Sequence, residues 1–306
     1  MTRALELSVE VGSVTLKNPV LTASGTFGYG LEHGAYFDVA ELGGVCTKGL
    51  SVEPRAGNAP PRIAETASGM LNAIGLANVG VEAFCNEKLP ILRERNVIVI
   101  PNIFATTVED FVRLAARLDR EPGVTALELN VSCPNVAHGG LEFGCDPAAA
   151  ARVTRAVRAA TSLPVWVKMS PEAGDIRAVG RACEEAGADA LTAINTLRGI
   201  AIDAEKRRFR IHNKTGGLSG PALKPIALRI VWELSRAVKI PVIGIGGIAT
   251  ARDAIEFLLA GATAVQVGTA SFADPLAPKK VLTGLESYCR EHDVLPRDLI
   301  GSLSPR

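Results

Sequence analysis

Short runs of β-branched and other apolar residues alternate along the chain with longer stretches whose apolar residues recur at helical spacing. The short runs predict buried strands, and the longer stretches predict amphipathic helices between them. Residues 5–16 alternate about Gly12-Ser13 and predict a β-hairpin. The predicted strands are 20–23, 44–47, 97–100, 126–129, 165–168, 190–194, 242–245 and 264–267. The predicted helices are 81–94, 107–119, 147–160, 175–186, 222–237, 251–260 and 276–290.

Eight strands separated by crossovers predict an α/β fold, a closed (β/α)8 TIM barrel with the hairpin at its N-terminal end. The alternative is a doubly wound open sheet, which would need a G-x-G-x-x-G turn after its first strand. Residues 24–30 contain glycines, but their spacing does not fit that turn. We therefore expect residues 1–306 to form one barrel domain.

Polar residues and glycines follow all eight predicted strands, at the end where a barrel carries its active site. A single asparagine at such a place is usually a turn former. A polar residue or glycine after every one of the eight strands is hard to explain by structural roles alone, so this ring of residues predicts an active site. Its members are Ser24, Lys48, Gly49, Asn102, Asn130, Cys133, Asn135, Lys168, Asn195, Thr196, Gly246, Gly247, Gly268 and Thr269.

The stretch at 129–135, LNVSCPN, places a thiol between two amides directly after a buried strand. Loops above rigid strands carry catalytic groups, so Cys133 is a candidate catalytic residue. The alternative is a cysteine used as a small core hydrophobe. Taken alone, the heptapeptide leaves both interpretations open.

The glycine-rich stretches at 244–248 and 267–270 predict a phosphate site, because barrels bind phosphate in the loops after their last two strands. Lys168 suits the anionic pyrimidine edge of a reduced flavin, and Lys48 suits the flavin's reactive edge or a substrate carboxylate. The uncharged stretch 69–78 predicts a long functional loop. A cyclic imide or ureide needs partners that both donate and accept hydrogen bonds, as side-chain amides do. Four amides can face such a ligand: Asn72, Asn130, Asn135 and Asn195.

Composition excludes several other classes of protein. The 306 residues carry a net charge of +1, so nothing favours binding to nucleic acid or to an anionic membrane. The basic run at 205–210 is read as a solvated loop, with partner docking as the alternative. Six cysteines without a C-x-x-C pair argue against zinc, an internal iron–sulfur cluster and disulfides. With no signal peptide or spanning segment, we expect a soluble cytoplasmic protein.

Seven motifs make the chain, from about Val14 to Ser287, resemble the catalytic subunit of class 1B dihydroorotate dehydrogenases. They are ASGTFGYG (23–30), TKGLS (47–51), GMLNAIGLAN (69–78), LNVSCPN (129–135), NKTGGLSGPALKP (213–225), IGIGGIATARDAIEF (243–257) and AVQVGTASF (264–272). The resemblance implies a barrel that binds one FMN and oxidises dihydroorotate to orotate in pyrimidine biosynthesis. The chain departs from the family's sequence pattern at three places: Ala77-Asn78-Val79, where Gln-Asn-Pro is usual, residues 103–105, and Arg198.

The resemblance also implies roles for individual residues. Cys133 would remove the C5 proton while the C6 hydride passes to flavin N5. The substrate would be held by Lys48, Asn72, Ala73, Ile74, Gly75, Leu76, Asn130, Asn135, Asn195 and Thr196. FMN would be held by Ser24, Lys48, Gly49, Asn102, Asn130, Lys168, Ile194, Gly220, Gly246, Gly247, Gly268 and Thr269.

Class 1B implies a partner subunit with FAD and a [2Fe–2S] cluster that passes electrons to NAD, in a heterotetramer built on a homodimer of this chain. The alternatives are a class 1A-like homodimer that uses fumarate and a dihydropyrimidine dehydrogenase-like flavoprotein. A colourless phosphate-binding barrel isomerase and a non-catalytic scaffold are the alternatives outside flavin chemistry.

Overall fold

The computed structural model describes residues 5–132 and 143–304. The strands are β1 (Val9–Val11), β2 (Val14–Leu16), β3 (Val20–Thr22), β4 (Gly44–Cys46), β5 (Ile63–Thr66), β6 (Gly69–Asn72), β7 (Val99–Ile100), β8 (Asn102–Ile103), β9 (Leu127–Asn130), β10 (Val165–Lys168), β11 (Ala190–Ala193), β12 (Leu197–Ile200), β13 (Ile202–Asp203), β14 (Arg208–Phe209), β15 (Thr215–Ser219), β16 (Val242–Ile245) and β17 (Ala264–Val267). The α-helices are α1 (Val81–Ala83), α2 (Leu89–Glu94), α3 (Val108–Leu118), α4 (Pro147–Ala160), α5 (Ile176–Glu185), α6 (Lys224–Ala237), α7 (Ala251–Ala260), α8 (Ala270–Ala273), α9 (Ala277–His292) and α10 (Pro296–Leu299).

A parallel sheet runs in the order β7-β4-β3-β17-β16-β11-β10-β9-β8. Its two ends, β7 and β8, are separated only by Pro101, which has no N–H to donate. They are therefore two parts of one strand, which pairs with β4 before the proline and with β9 after it. The ring closes as an eight-stranded barrel, and the predicted fold class is confirmed.

The predicted strands 165–168, 242–245 and 264–267 match β10, β16 and β17 residue for residue. Helical backbone spans the predicted 81–94, with a π-helical turn, Phe84–Lys88, between α1 and α2. One local expectation was wrong. The stretch 69–78 is only partly a loop, because its first four residues form β6.

Side-chain caps define where several outer helices begin. Thr107, Asp146 and Asp175 each accept a hydrogen bond from a backbone N–H in the first turn of α3, α4 and α5. Helix α7 starts with a reciprocal capping box between Thr250 and Asp253. These caps satisfy N–H groups that have no partner inside the helix. Each helix thereby starts just beyond the rim of the barrel.

Two apolar clusters hold the barrel together. The larger cluster fills the layer between the strands and the outer helices. The smaller one lies inside the barrel, where Leu21, Trp166 and Ile243 pack against Val11 and Leu16 of the β1–β2 hairpin. The hairpin therefore seals the end of the barrel opposite the C-terminal ends of the strands.

A second sheet, antiparallel and in the order β12-β15-β6-β5, was not predicted. Its strands come from the segments that follow the second and sixth barrel strands, and β13 pairs with β14 beside it. The side chains of 205–210 are all exposed, as expected, although Arg208–Phe209 forms β14. Within the described residues, no helix has the length and apolarity needed to cross a membrane.

Candidate active site

A cavity of about 700 Å³ opens at the C-terminal ends of the barrel strands. This volume lies within the range of small-molecule and cofactor sites, roughly 300–1,000 Å³. Most of the residues predicted from the sequence line it. These are Ser24, Lys48, Asn72, Ala73, Ile74, Gly75, Leu76, Asn130, Lys168, Ile194, Asn195, Thr196, Gly220, Gly246, Gly247, Gly268 and Thr269.

Two predicted site residues that the structure describes, Gly49 and Asn102, are not in that lining. Cys133 and Asn135 lie outside the described residues. Gly49 and Asn102 lie behind the wall, where a Cβ added to Gly49 would come within 2.9 Å of Asn102 Oδ1. Asn102 is almost completely buried and contacts the side chain of Glu128 instead.

The second sheet forms the roof of the cavity. Asn72 of β6 pairs with Gly217 of β15, and the Asn72 side chain donates to the Gly217 carbonyl at 3.3 Å. A Cβ on Gly217 would lie 2.1 Å from Thr196 Oγ1, and a Cβ on Gly216 would lie 2.7 Å from the Asn72 carbonyl oxygen. The glycine pair therefore lets the roof approach the barrel closely enough to enclose a ligand.

Two asparagines hold the loop at 73–76 against the cavity. The Asn58 backbone donates to the Ile74 carbonyl at 3.0 Å, and its side chain donates to the Ala73 carbonyl at 3.0 Å. On the other side, the Asn78 side chain donates to the Leu76 carbonyl at 2.8 Å. Leu76 has a φ of +58°, a conformation that is uncommon for a residue with a side chain. The loop thus has one defined path along the cavity.

Unpaired backbone donors mark the end of the cavity near the last two barrel strands. The N–H groups of Gly246, Gly247, Gly268 and Thr269 have no hydrogen-bond acceptor among the residues that the structure describes. Gly246 and Gly247 have φ values of +135° and +76°, which glycine adopts without strain. Adjacent N–H groups of this kind form an anion-binding concavity. This end of the cavity is suited to a phosphate group.

Linked amides lie at the tips of the fourth and sixth barrel strands. The Asn195 side chain donates to Asn130 Oδ1 at 3.1 Å, while Asn195 Oδ1 accepts from the Thr196 backbone at 2.8 Å. These bonds fix the rotamer of Asn195 and leave the Asn130 amide nitrogen as a donor. The pair can therefore offer both donors and acceptors to a flat polar ring.

Positive charge gathers at the side of the cavity near the second strand. Lys48 lines the cavity, and within the described ranges no carboxylate acts on its ammonium. Burial, followed by the nearby Arg62 guanidinium, lowers the pKa of Lys48. An unpaired ammonium in the cavity wall with a second cation nearby favours an anionic ligand. Arg62 was not singled out in the sequence, because a lone arginine between a proline and an isoleucine carries no motif.

Beneath the cavity, the barrel interior contains a buried ion pair. Lys168 Nζ lies 3.6 Å from Glu128 Oε1, and both side chains are almost completely buried. Burial alone would raise the pKa of Glu128. The Lys168 charge and hydrogen bonds from Gln266, Asn102 and Cys46 outweigh burial, so the pKa of Glu128 lies below its ordinary value. Burial and the Glu128 carboxylate raise the pKa of the Cys46 thiol.

Comparisons with known proteins agree with one another. A family model described as dihydroorotate dehydrogenase matches residues 6–289. The chain is 56% identical over 299 residues to a protein of Geotalea uraniireducens, covering 97% of this chain and 98% of the relative. It is 57% identical over 298 residues to a protein of Trichlorobacter lovleyi, with the same coverage. Both relatives are named dihydroorotate dehydrogenase B (NAD(+)), catalytic subunit.

A solved structure of DHODH from Eimeria tenella, in complex with ferulenol, superposes with a TM-score of 0.81. The superposition covers 97% of this chain and 88% of the other, at 24% sequence identity. At that identity the similarity concerns the fold. It independently supports the closed barrel described above.

Proposed function

This chain belongs to the dihydroorotate dehydrogenase family, and we propose that it oxidises (S)-dihydroorotate to orotate in pyrimidine biosynthesis with FMN as its cofactor. The observation that carries the proposal is the division of one cavity into two ends of different chemistry. One end has four unpaired N–H groups, and the other has Lys48, with Arg62 nearby, and a set of amides. A phosphate-bearing cofactor and a small anionic substrate fit these two ends.

The described residues fit FMN in three respects. The N–H groups of Gly246, Gly247, Gly268 and Thr269 would hold its phosphate. A Cβ on Gly25 would point into open space, so this glycine leaves room along the wall. Lys168 and Asn130 would hold the polar edge of the ring system. When bound, FMN supplies a two-electron acceptor for the hydride that leaves C6 of the substrate.

The substrate end fits a carboxylate attached to a pyrimidine ring. Lys48 would bind the carboxylate, with Arg62 adding positive charge nearby. Asn72, Asn130 and Asn195 would bind the imide and ureide groups of the ring. A uracil-type ligand has no carboxylate to satisfy Lys48. The two cations therefore favour dihydroorotate over the substrate of a dihydropyrimidine dehydrogenase.

Cys133 is proposed as the base that accepts the C5 proton. The chain reaches the cavity wall at Ser132, whose hydroxyl donates to the Lys168 carbonyl at 3.2 Å, and the next residue is Cys133. An ordinary cysteine has a pKa of about 8.5, so a small thiolate fraction exists near neutral pH. Loss of the C5 proton to the thiolate and of the C6 hydride to the cofactor leaves the double bond of orotate.

The electron acceptor and the assembly belong to the same proposal. We expect a partner subunit carrying FAD and a [2Fe–2S] cluster to pass electrons to NAD, on a homodimer of this chain. The names of the relatives, with "catalytic subunit" and "NAD(+)", support this expectation. One domain over 1–306 and a cytoplasmic location remain predictions. Co-purification of the partner, followed by assays with NAD and with fumarate, separates this assembly from a fumarate-linked homodimer.

Anaerobic reduction of the bound flavin by dihydroorotate tests the proposed function. We expect the purified chain to be yellow and its visible flavin absorbance to bleach on adding dihydroorotate, because the hydride passes to the flavin. Cys133→Ala should keep the flavin and lose the bleaching, whereas Cys133→Ser should retain a little. Cys289→Ala, on the outer helix α9, is the matched control and should bleach like the unaltered protein. Full bleaching in Cys133→Ala would exclude the thiol as the base, and a colourless protein would exclude the flavin.

A further inference from the structure

A fully buried carboxylate beneath the cavity has no role in the function proposed above. Glu128 lies on β9, two residues before Asn130, with no exposed surface. It does not line the cavity, so it does not contact a ligand there. Burying a carboxylate is costly unless it is paired and hydrogen-bonded. A charge kept at this depth therefore calls for an explanation.

The contacts of Glu128 are with three neutral donors and one cation. The Asn102 side-chain nitrogen donates to Oε1 at 2.7 Å, the Cys46 thiol donates to Oε1 at 3.2 Å, and the Gln266 side-chain nitrogen donates to Oε2 at 2.8 Å. Lys168 Nζ lies 3.6 Å from Oε1. These groups come from four other barrel strands, so the carboxylate is fixed from several directions.

Lys168 connects this cluster to the cavity. Its side chain is 6% exposed and forms part of the cavity lining, while its ammonium faces Glu128 on the inner side. The hydroxyl of Ser132 donates to the Lys168 carbonyl, so the backbone of this residue is also fixed. The ammonium thus stands between the fixed carboxylate and the ligand.

We propose that Glu128 is a positioning residue that holds the Lys168 ammonium at the floor of the cavity and offsets part of its positive charge toward the bound flavin. This inference rests on the proposed function, because it assigns the ligand above Lys168 as FMN. The neutral donors keep the carboxylate in place without adding a charge of their own. Glu128 acts through Lys168 and does not take part in proton transfer.

The charge has a predictable effect on the flavin. Two-electron reduction makes the pyrimidine part of the flavin more negative, so a cation close to it would stabilise the reduced form. Glu128 opposes that stabilisation. Removing its charge should therefore favour the reduced flavin, and removing the charge of Lys168 should favour the oxidised flavin.

The test is the flavin midpoint potential, measured by spectroelectrochemical titration of the FMN-loaded protein, in the unaltered chain and three variants. Glu128→Gln should raise the ratio of reduced to oxidised flavin at a fixed potential at least about tenfold, or about 30 mV for a two-electron couple. Lys168→Met should shift the ratio in the opposite direction. The double variant removes both charges, and its potential should lie between those of Lys168→Met and the unaltered chain. Glu286→Gln, on the exposed face of α9, removes the same charge as a control and should change nothing.

The order of these potentials decides the inference. A Glu128→Gln variant that binds FMN with an unchanged potential would overturn it, and so would a double variant whose potential equals that of Lys168→Met. If Glu128→Gln does not fold, because Lys168 is then buried without a partner, the comparison of the double variant with Lys168→Met still decides. Failure of the unaltered chain to bind FMN would instead overturn the proposed function.

Discussion

Replacement of Gly247 by alanine tests the phosphate end of the cavity most directly. Gly247 has a φ of +76°, and a Cβ added there would lie 2.8 Å from the Lys224 backbone nitrogen and 2.9 Å from the Gly220 carbonyl oxygen. The left-handed conformation costs an alanine about 1–2 kcal/mol. Relieving contacts with two backbone atoms costs about 1–3 kcal/mol more. We therefore expect Gly247→Ala to lose about 2–5 kcal/mol of unfolding free energy.

The same displacement should weaken FMN binding. Moving the backbone at 247 misaligns at least one N–H group that would donate to the phosphate. A hydrogen bond to a charged group contributes about 1.5–3 kcal/mol, which corresponds to a Kd about 10- to 150-fold weaker. Titration of FMN into the flavin-free variant, followed by quenching of the flavin fluorescence, measures this loss.

Alanine variants of two other glycines separate the cost of backbone strain from the cost of steric contacts. A Cβ on Gly174 would meet nothing within 4 Å, and its φ is not left-handed, so Gly174→Ala should leave both stability and FMN affinity nearly unchanged. A Cβ on Gly25 also meets nothing, but its φ is +86°. In the flavin-free chain, Gly25→Ala should therefore show the strain alone, a loss of about 1–2 kcal/mol of unfolding free energy. If Gly247→Ala matches Gly174→Ala in both measurements, the assignment of the phosphate end is wrong.

Two further predictions concern the substrate end. Asn78→Ala removes the hydrogen bond that holds the Leu76 carbonyl, a loss of about 1 kcal/mol, so orotate should bind about 5- to 10-fold more weakly. The affinity for FMN in the same preparation should stay unchanged, and equal losses for both ligands would contradict a local effect. Because burial and Arg62 lower the pKa of Lys48, the affinity for orotate should fall as the pH rises toward a pKa below 10.5, and Lys48→Arg should abolish that fall. Both affinities are measured in the Cys133→Ser background, where the thiol cannot ionise, and a pH dependence that persists in Lys48→Arg would refute this prediction.

The barrel could be predicted from the sequence because its strands are buried on both faces. Segments such as Val165–Lys168 and Val242–Ile245 are short, apolar and β-branched, and they stand apart from the helical periodicity around them. The ends of these strands then locate the site without any tertiary information, because parallel strands bring their carboxyl ends to one rim. Lys48, Asn130 and Gly247 were found in this way.

The roof could not be predicted by the same reasoning. Gly69–Asn72 and Thr215–Ser219 are glycine-rich and mostly half-buried, so they show neither alternation nor a continuous apolar run. What makes them strands is their pairing with each other across about 145 residues of sequence, which no local pattern records. A glycine pair such as Gly216-Gly217 resembles a turn until the neighbouring Asn72 and Thr196 are seen to occupy the space of its missing side chains.

Glu128 was missed because a single glutamate within an apolar run is usually placed on the outer face of a strand. In a closed barrel, residues alternate between the interior and the helix layer, so Ala126, Glu128 and Asn130 lie on one inner column. Ala126 packs in the sealed apolar end, Glu128 lies in the hydrogen-bonded middle layer, and Asn130 lines the cavity. Polarity along this column therefore begins one layer below the cavity. Because Lys168 is the member of this layer that lines the cavity among the described residues, substitutions of the others should alter the chemistry of the cavity while leaving its shape intact.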